Sequence, residues 1–204
     1  MSRLAKRGFD VALSGVGLLV SAPLWLIVGA AIRLDSHGPV FFRQPRVGRG
    51  GRHFDVLKFR SMVADAERDV GPLQAAAGDR RITRVGAVLR ATAMDELPQL
   101  WNIFRGDMSF VGPRPLRPGE VEVRGDGRLI PLADIPGYAE RHRVRPGLTG
   151  LTQVYAPRDI SRASKFRLDR LYITRAGFWL DLRLILVSFW ITGRGAWETR
   201  ERKV

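Results

Sequence analysis

Apolar and charged positions are spread unevenly along the chain. From Val11 to Ile32 an apolar run of 22 residues carries no charge. At about 1.5 Å per helical residue, such a run can just cross a hydrocarbon core ~30 Å thick. Pro23 falls near its middle, where it removes an amide donor and clashes with the carbonyl of Leu19, and Ser21 is placed to satisfy part of the freed backbone. Arg3, Lys6 and Arg7 precede the run, and Arg33, Arg43 and Arg46 follow it. Basic residues resist translocation, so both flanks favour the cytoplasmic side. A helix that enters, bends at Ser21–Pro23 and returns satisfies both flanks and is preferred to a spanning one. A cleaved signal peptide is disfavoured, because the run is too long and no secretory cysteine pattern follows.

Beyond Asp35 the sequence turns polar and rich in glycine and proline. Pro39–Phe42 and His53–Lys58 read as short strands around a loop, Gln44–Arg52, which contains Gly48, Gly50 and Gly51. A hairpin turn accounts for that loop. A phosphate cradle is the sharper alternative, although GRGG matches neither a Walker loop nor a dinucleotide fingerprint. Met62–Asp69 reads as a short helix and Leu73–Arg80 as a small-residue loop. Helices are expected over Arg84–Arg90 and Asp95–Phe104, and an irregular connection over Arg124–Pro136. Ser161–Thr174 has a helical period, with Phe166, Leu168, Leu171 and Tyr172 on the apolar side. Phe178–Thr192 is very apolar and aromatic, yet is interrupted by Asp181 and Arg183. An interfacial helix and a buried core helix both fit it.

Charge narrows the partners. The 204 residues include 34 Lys and Arg against 20 Asp and Glu, a formal net charge of +14. Such a field attracts nucleic acid, anionic lipid or a phosphorylated substrate. With no cysteine, disulfides and thiol catalysis are excluded, and His37, His53 and His142 lack metal-ligand spacing.

The chemistry concentrates at Asp95 and Glu96, which open the segment DELPQLWN. Proline is tolerated in a first helical turn, so Pro98 places a helix start just before it. Thr92 as N-cap, with Asp95 three residues on, is the structural reading. The catalytic reading uses the same place: a helix N-terminus stabilises an ionised carboxylate and attracts phosphate. Adjacent helical residues point about 100° apart, so the two acids differ in role: one attacks while the other binds metal or positions substrate. Downstream, Arg114 lies between Pro113 and Pro115, and prolines on both sides pre-orient a guanidinium suited to bidentate phosphate contact. Lys58, Arg60 and Arg90 offer further cations.

Together these segments resemble the bacterial sugar transferase family, the monotopic phosphoglycosyl transferases. The resemblance runs through GPVFFRQPRVGRGGRHFDVLKFRSM (38–62), RITRVGAVLR (81–90), DELPQLWNIFRGDMSFVGPRP (95–115) and RPGLTGLTQV (145–154). It implies an α+β, mainly helical, small membrane-associated domain with amphipathic interfacial helices. Residues 1–35 would form the re-entrant membrane segment, broken at Ser21 and Pro23. Residues 36–204 would form a catalytic domain on the cytoplasmic face of the bacterial inner membrane, ending in an interfacial helix. Asp95 would be the nucleophile and a magnesium ligand, with Glu96 its catalytic partner. Lys58, Arg60, Arg90, Arg114 and Asp169 would bind substrate. The family's usual Ser-Leu before the acidic pair is Ala93-Met94 here.

The implied reaction moves a sugar 1-phosphate from a UDP-sugar to a polyprenyl (undecaprenyl) phosphate with Mg²⁺, and releases UMP. It would initiate synthesis of a membrane glycoconjugate. An ordinary Asp pKa of about 3.9 leaves the nucleophile ionised without a general base. The bilayer is a partner because the acceptor cannot leave it, and a homodimer is left open. A conventional glycosyltransferase would instead release UDP. Nucleic-acid binding would explain the charge but not the broken apolar run, and no nucleic-acid motif is present. A membrane scaffold gives no reason for DELPQ or VGPRP.

Overall fold

A computed structural model describes residues 2–66, 79–157 and 160–194. The apolar run forms α1 (Arg3–Asp35), capped at its start by Ser2, whose side chain accepts from the amide of Ala5. The helix passes through Pro23 without interruption, so the break expected there is absent from the backbone. Ser21 sits within the same turn. Its hydroxyl lies 3.4 Å from the carbonyl of Leu18 and accepts from Trp25 Nε1 at 3.0 Å.

A hairpin follows, β1 (Phe41–Val47) paired antiparallel with β2 (His53–Phe59), in a register from Phe41↔Phe59 to Val47↔His53. Of the short helix expected at Met62–Asp69, residues 62–66 form a bridge and a turn instead. The rest of it, and most of the loop expected at 73–80, lies outside the described residues. Next come α2 (Arg84–Ala91), a 3-10 turn at Met94–Glu96, α3 (Gln99–Arg105) and β3 (Ser109–Val111). The expected irregular connection holds a small hairpin, β4 (Val121–Val123) with β5 (Leu129–Pro131). The chain continues through α4 (Tyr138–Arg141), β6 (Gly147–Thr149), α5 (Leu151–Tyr155), α6 (Arg162–Arg175) and α7 (Phe178–Gly193). The result is a mixed, predominantly helical fold.

β3 and β6 pair in parallel, which joins the SFVGPRP and RPGLTG segments. Only glycine permits the approach: a Cβ on Gly112 would lie 2.5 Å from the Arg145 carbonyl oxygen, and one on Gly147 2.1 Å from the Gly112 nitrogen.

The first 35 residues are not a separate layer. Phe9, Leu13 and Leu18 pack against the core built from Val56, Ile103, Met108, Val154 and Leu184. Val28 and Ile32 form a second cluster with Phe59 and Leu89. Both ends of α1 also grip the body of the protein. Lys6 Nζ is 2.5 Å from the buried carboxylate of Asp181 in α7. Arg7 donates to the carbonyls of Ile103 and Phe104, and Asp10 accepts from Ser109 and the amide of Phe110. At the other end, Asp35 accepts from the amide of Val85 in α2.

The opposite stripe of α1 stays bare, with Val16, Leu19, Val20, Leu26, Ile27 and Leu34 all exposed. A helix apolar on both its packed and its open face suits a bilayer rather than water. In α7, Leu184, Ile185 and Ile191 enter the core while Phe178, Trp179, Leu186, Phe189 and Trp190 are exposed. One face of α7 is thus core, as one of the two sequence alternatives has it, and the other face is exposed and aromatic.

Candidate active site

The acidic pair is presented by a turn, not by the first turn of a helix. Thr92 closes α2, and its hydroxyl donates to the carbonyl of Val88, so it is not the N-cap expected from sequence. Ala93 then takes a left-handed conformation (φ 53°), and Met94–Glu96 form the 3-10 turn. A left-handed alanine costs on the order of 1 kcal/mol or more. The cost buys direction, because it turns the chain sharply so that both carboxylates face β2. The true helix starts later, at Gln99 after Pro98.

β2 supplies the facing cation. Lys58 Nζ lies 2.6 Å from Glu96 Oε1 and 3.9 Å from Asp95 Oδ2. Asn102 of α3 fixes the strand, accepting from the amide of Leu57 at 2.9 Å and donating to the carbonyl of Asp55 at 2.8 Å. The Asn of DELPQLWN is thus the clip that sets Lys58 opposite the acids, a role that no spacing rule singled out.

Arg114 approaches from the loop after β3, with Nη2 3.8 Å from Glu96 Oε1 and about half of its side chain exposed. Arg46 of β1 enters the same cleft, together with Gln99 and Pro115. Its guanidinium donates to the Pro115 carbonyl, and burial lowers its pKa to about 10. Arg46, Gln99 and Asn102 were all invisible as site residues in the sequence.

The two acids are electrostatically unlike. Glu96 is pulled down to about 2, because Lys58 and Arg114 outweigh its burial. Asp95 is pushed up to about 6, chiefly by burial and also by the Glu96 charge, against the opposing pull of Lys58, Arg90 and Arg114. Among the described residues the Asp95 carboxylate accepts no hydrogen bond, although it is only 8% exposed. Glu96 is the fixed anion and Asp95 the uncommitted one.

Arg90, on α2, is close enough to act on Asp95. Two expected substrate ligands are placed elsewhere. β2 ends at Phe59, so strand alternation no longer sets Arg60 beside Lys58. Arg60 is buried and donates to the carbonyls of His37 and Ser36 at 2.8 and 2.7 Å, where it caps the end of α1. Asp169 is buried in α6 and pairs with Arg141 Nε at 2.9 Å, while Thr152 donates to its other oxygen at 2.7 Å. Arg141 in turn donates through Nη2 to the Arg114 carbonyl at 2.7 Å. Asp169 therefore reaches the cleft through Arg141, which holds the backbone of Arg114.

Among the described residues no group of three or more His, Cys, Asp or Glu side chains gathers to hold a metal. Magnesium is commonly bound by one or two carboxylates, with water and substrate phosphates completing its shell. The uncommitted Asp95 carboxylate fits that donor set. Zinc, which favours nitrogen and sulfur ligands, does not fit it.

The model of a family described as bacterial sugar transferase matches residues 1–195. An undecaprenyl-phosphate glucose phosphotransferase of Komagataeibacter xylinus is 44% identical over 190 residues, which are 91% of this chain and 35% of that protein. A UDP-glucose:undecaprenyl-phosphate glucose-1-phosphate transferase of Caulobacter vibrioides is 43% identical over 190 residues, covering 90% of this chain and 67% of its own length. The exopolysaccharide production protein PSS of Rhizobium leguminosarum bv. phaseoli is 41% identical over 203 residues, covering 96% of this chain and 100% of its own. This chain thus spans about a third of the first relative and all of the third.

Proposed function

The chain belongs to the bacterial sugar transferase family, and from that premise we propose that it moves a sugar 1-phosphate from a UDP-sugar to undecaprenyl phosphate. The observation that carries the reading is the Asp95 carboxylate, buried and without a hydrogen bond, beside a Glu96 already neutralised by Lys58. A nucleophile must not be spent on structural contacts, and of the pair Asp95 alone is unspent.

The proposed step is a displacement at the β-phosphorus. A bond forms from a carboxylate oxygen of Asp95 to phosphorus, and the bond from that phosphorus to the bridging oxygen breaks. UMP leaves with the bridging oxygen and its electron pair. Undecaprenyl phosphate then attacks the acyl phosphate, takes the phosphosugar and restores the carboxylate. No general base is needed, since both nucleophiles are anionic above about pH 6. Arg114 is placed to meet phosphate oxygens with a planar fork, while Lys58 and Arg90 offset the charge that gathers at the acids. Magnesium, held by Asp95 and the substrate phosphates, would supply charge neutralisation of the diphosphate. The glucose and N-acetylgalactosamine substrates named for relatives put UDP-hexoses first among donors to try. Exopolysaccharide assembly is the pathway class suggested by the names of others.

The same reading places the protein at the inner membrane with its cleft on the cytoplasmic face. α1 and the exposed aromatic face of α7 would be immersed, and α1 would enter and leave one leaflet through a shallow bend at Pro23. Support comes from its two ends. Lys6 and Asp35 are at opposite ends of a helix about 50 Å long, yet both bind residues of one body.

The deciding experiment measures nucleotide release from a panel of UDP-sugars with undecaprenyl phosphate and Mg²⁺. UMP, in step with lipid-linked phosphosugar, is the expected product. Release of UDP would indicate conventional glycosyl transfer and overturn the reading.

A further inference from the structure

The open end of the β1–β2 hairpin connects α1 to the acidic pair. Residues directly opposite each other in an antiparallel pair share a face of the sheet. The register therefore puts Phe42 with Lys58, Gln44 with Val56 and Arg46 with Phe54 on one face. That face carries Arg46, Val56 and Lys58 into the cleft at Glu96. Phe42 is thus the cross-strand neighbour of Lys58, with Cβ atoms about 5 Å apart. It is 39% exposed, and among the described residues no other ring packs on it.

Phe41 points to the other face and meets the apolar helix. Its ring centroid is 5.8 Å from that of Trp25 and 5.5 Å from that of Phe59, and it too is 38% exposed. Val40, one residue earlier, packs with Val28 and Ile32. Trp25, Val28 and Ile32 belong to the uncharged run of α1, where Leu26 and Ile27 are bare. A series of neighbours thus leads from α1 through Trp25, Phe41 and Phe42 to Lys58, whose Nζ is 3.9 Å from the Asp95 carboxylate.

The series is apolar at one end and cationic at the other, which matches an amphiphile with an anionic head. An ammonium has three N–H donors, and among the described residues Lys58 spends one, on Glu96. Arg46 lies toward the hairpin tip, four residues along β1 from Phe42 or about 13 Å away, and lines the cleft with Arg114. The arginines suit the diphosphate of a nucleotide sugar. The side of the cleft that opens on α1 suits a lipid chain.

We propose that, in the reaction given above, Phe42 holds the first isoprene units of the polyprenyl phosphate while Lys58 receives its phosphate. Phe41 and Trp25 carry the chain back to the bilayer. Phe42 is then a determinant of the acceptor, and the nucleotide sugar does not touch it.

The two half-reactions separate these roles. The full chain in neutral detergent is charged with a sugar-labelled UDP-sugar that the native protein accepts, and the labelled protein is then chased with undecaprenyl phosphate or farnesyl phosphate. Phe42→Ala should form labelled protein and release UMP at the native rate. Its half-saturating concentration for either lipid phosphate should rise about ten-fold, the worth of burying part of one aromatic side chain. Phe42→Leu keeps most of the apolar area and should lose about three-fold or less. Trp179→Ala removes an exposed aromatic of α7 and should leave the farnesyl phosphate chase unchanged. Slower labelling with a normal chase would move Phe42 to the nucleotide. Equal losses in both half-reactions would make it a fold element, and native behaviour in both would leave it without a role; each result overturns the path. A native chain that forms no labelled protein would remove the covalent reading, and the path with it.

Discussion

Lys58 Nζ sits 2.6 Å from Glu96 Oε1 but 3.9 Å from Asp95 Oδ2, so one ammonium holds the two carboxylates unequally. Burial raises both carboxylates, and the cations outweigh it only at Glu96, which is held at about 2, while Asp95 rises to about 6. Asp95→Asn should abolish turnover, together with any sugar-phosphate labelling of the protein in the absence of lipid acceptor, because an amide cannot form the acyl phosphate. Glu96→Gln should retain labelling at about a tenth to a hundredth of the normal rate, the range for one charged hydrogen bond worth about 1.5–3 kcal/mol. Labelling at the normal rate in the Asn variant would remove Asp95 from its role.

How far the sequence led can be judged at this pair. Asp95 and Glu96 stood out because two adjacent acids before a helix are chemically conspicuous. The turn that presents them did not stand out, since a left-handed alanine has no local signature. The family resemblance set Lys58 and Arg60 together as substrate ligands, and the end of β2 at Phe59 separates them. Local patterns located the hairpin and most of the helices, while the short parallel pair of β3 and β6 depends on contacts between segments that pattern does not connect. Arg46 and Arg141 looked like two of many surface arginines, and only the folded chain buries them.

The backbone of Arg114 is held by Arg141, whose Nη2 donates to its carbonyl. Arg114→Lys keeps the charge and loses the fork, and should lower kcat/KM for the nucleotide sugar about ten- to hundred-fold. The half-exposed side chain predicts an unchanged melting temperature. Full activity in the Lys variant would leave Arg114 as a source of general positive potential only.

Asp169 and Arg141 should behave as positioning residues. Breaking a buried pair by removing one partner costs about 3–5 kcal/mol, because the other charge is left uncompensated. Arg141→Met and Asp169→Leu should each destabilise by about that amount, and the double variant should recover most of the stability in urea unfolding. Turnover should not recover with it, since the Arg114 carbonyl still lacks its donor. Activity that returns in step with stability would reduce the pair to a fold element.

His142 gives a pH signature of its own. Its folded pKa, about 4, lies below the ordinary value of 6.5 for the unfolded chain. Between those values the unfolded state binds more protons, so stability rises with pH there. The contribution is complete above about pH 6.5 and is lost as pH falls toward 4. Denaturant midpoints of the native chain should decline over that window more steeply than those of His142→Phe. Parallel slopes would show that the ring is not buried in its neutral form.

The topology of α1 follows from contacts at its two ends. A spanning helix would carry Lys6 to the far side of the membrane, away from Asp181, and would strand a buried carboxylate without its cation. Asp35 would stay with Val85 on the near side. Native cysteine is absent, so Ser2→Cys and, in the exposed β4–β5 turn, Asp126→Cys report without background. In intact spheroplasts a membrane-impermeant thiol reagent should label neither, and after permeabilisation it should label both. Replacing Ser21 and Pro23 by leucine restores the amide donor and removes the ring clash without touching the end contacts of α1. Those contacts, with Arg3 and Arg7 also resisting translocation, should keep residue 2 inside in most molecules. Adding Lys6→Leu removes the ion pair and one positive charge together, and the fraction labelled from outside should then rise. Labelling of the native residue-2 site in intact spheroplasts would show that the helix spans, and it would do so without disturbing the assignment of Asp95.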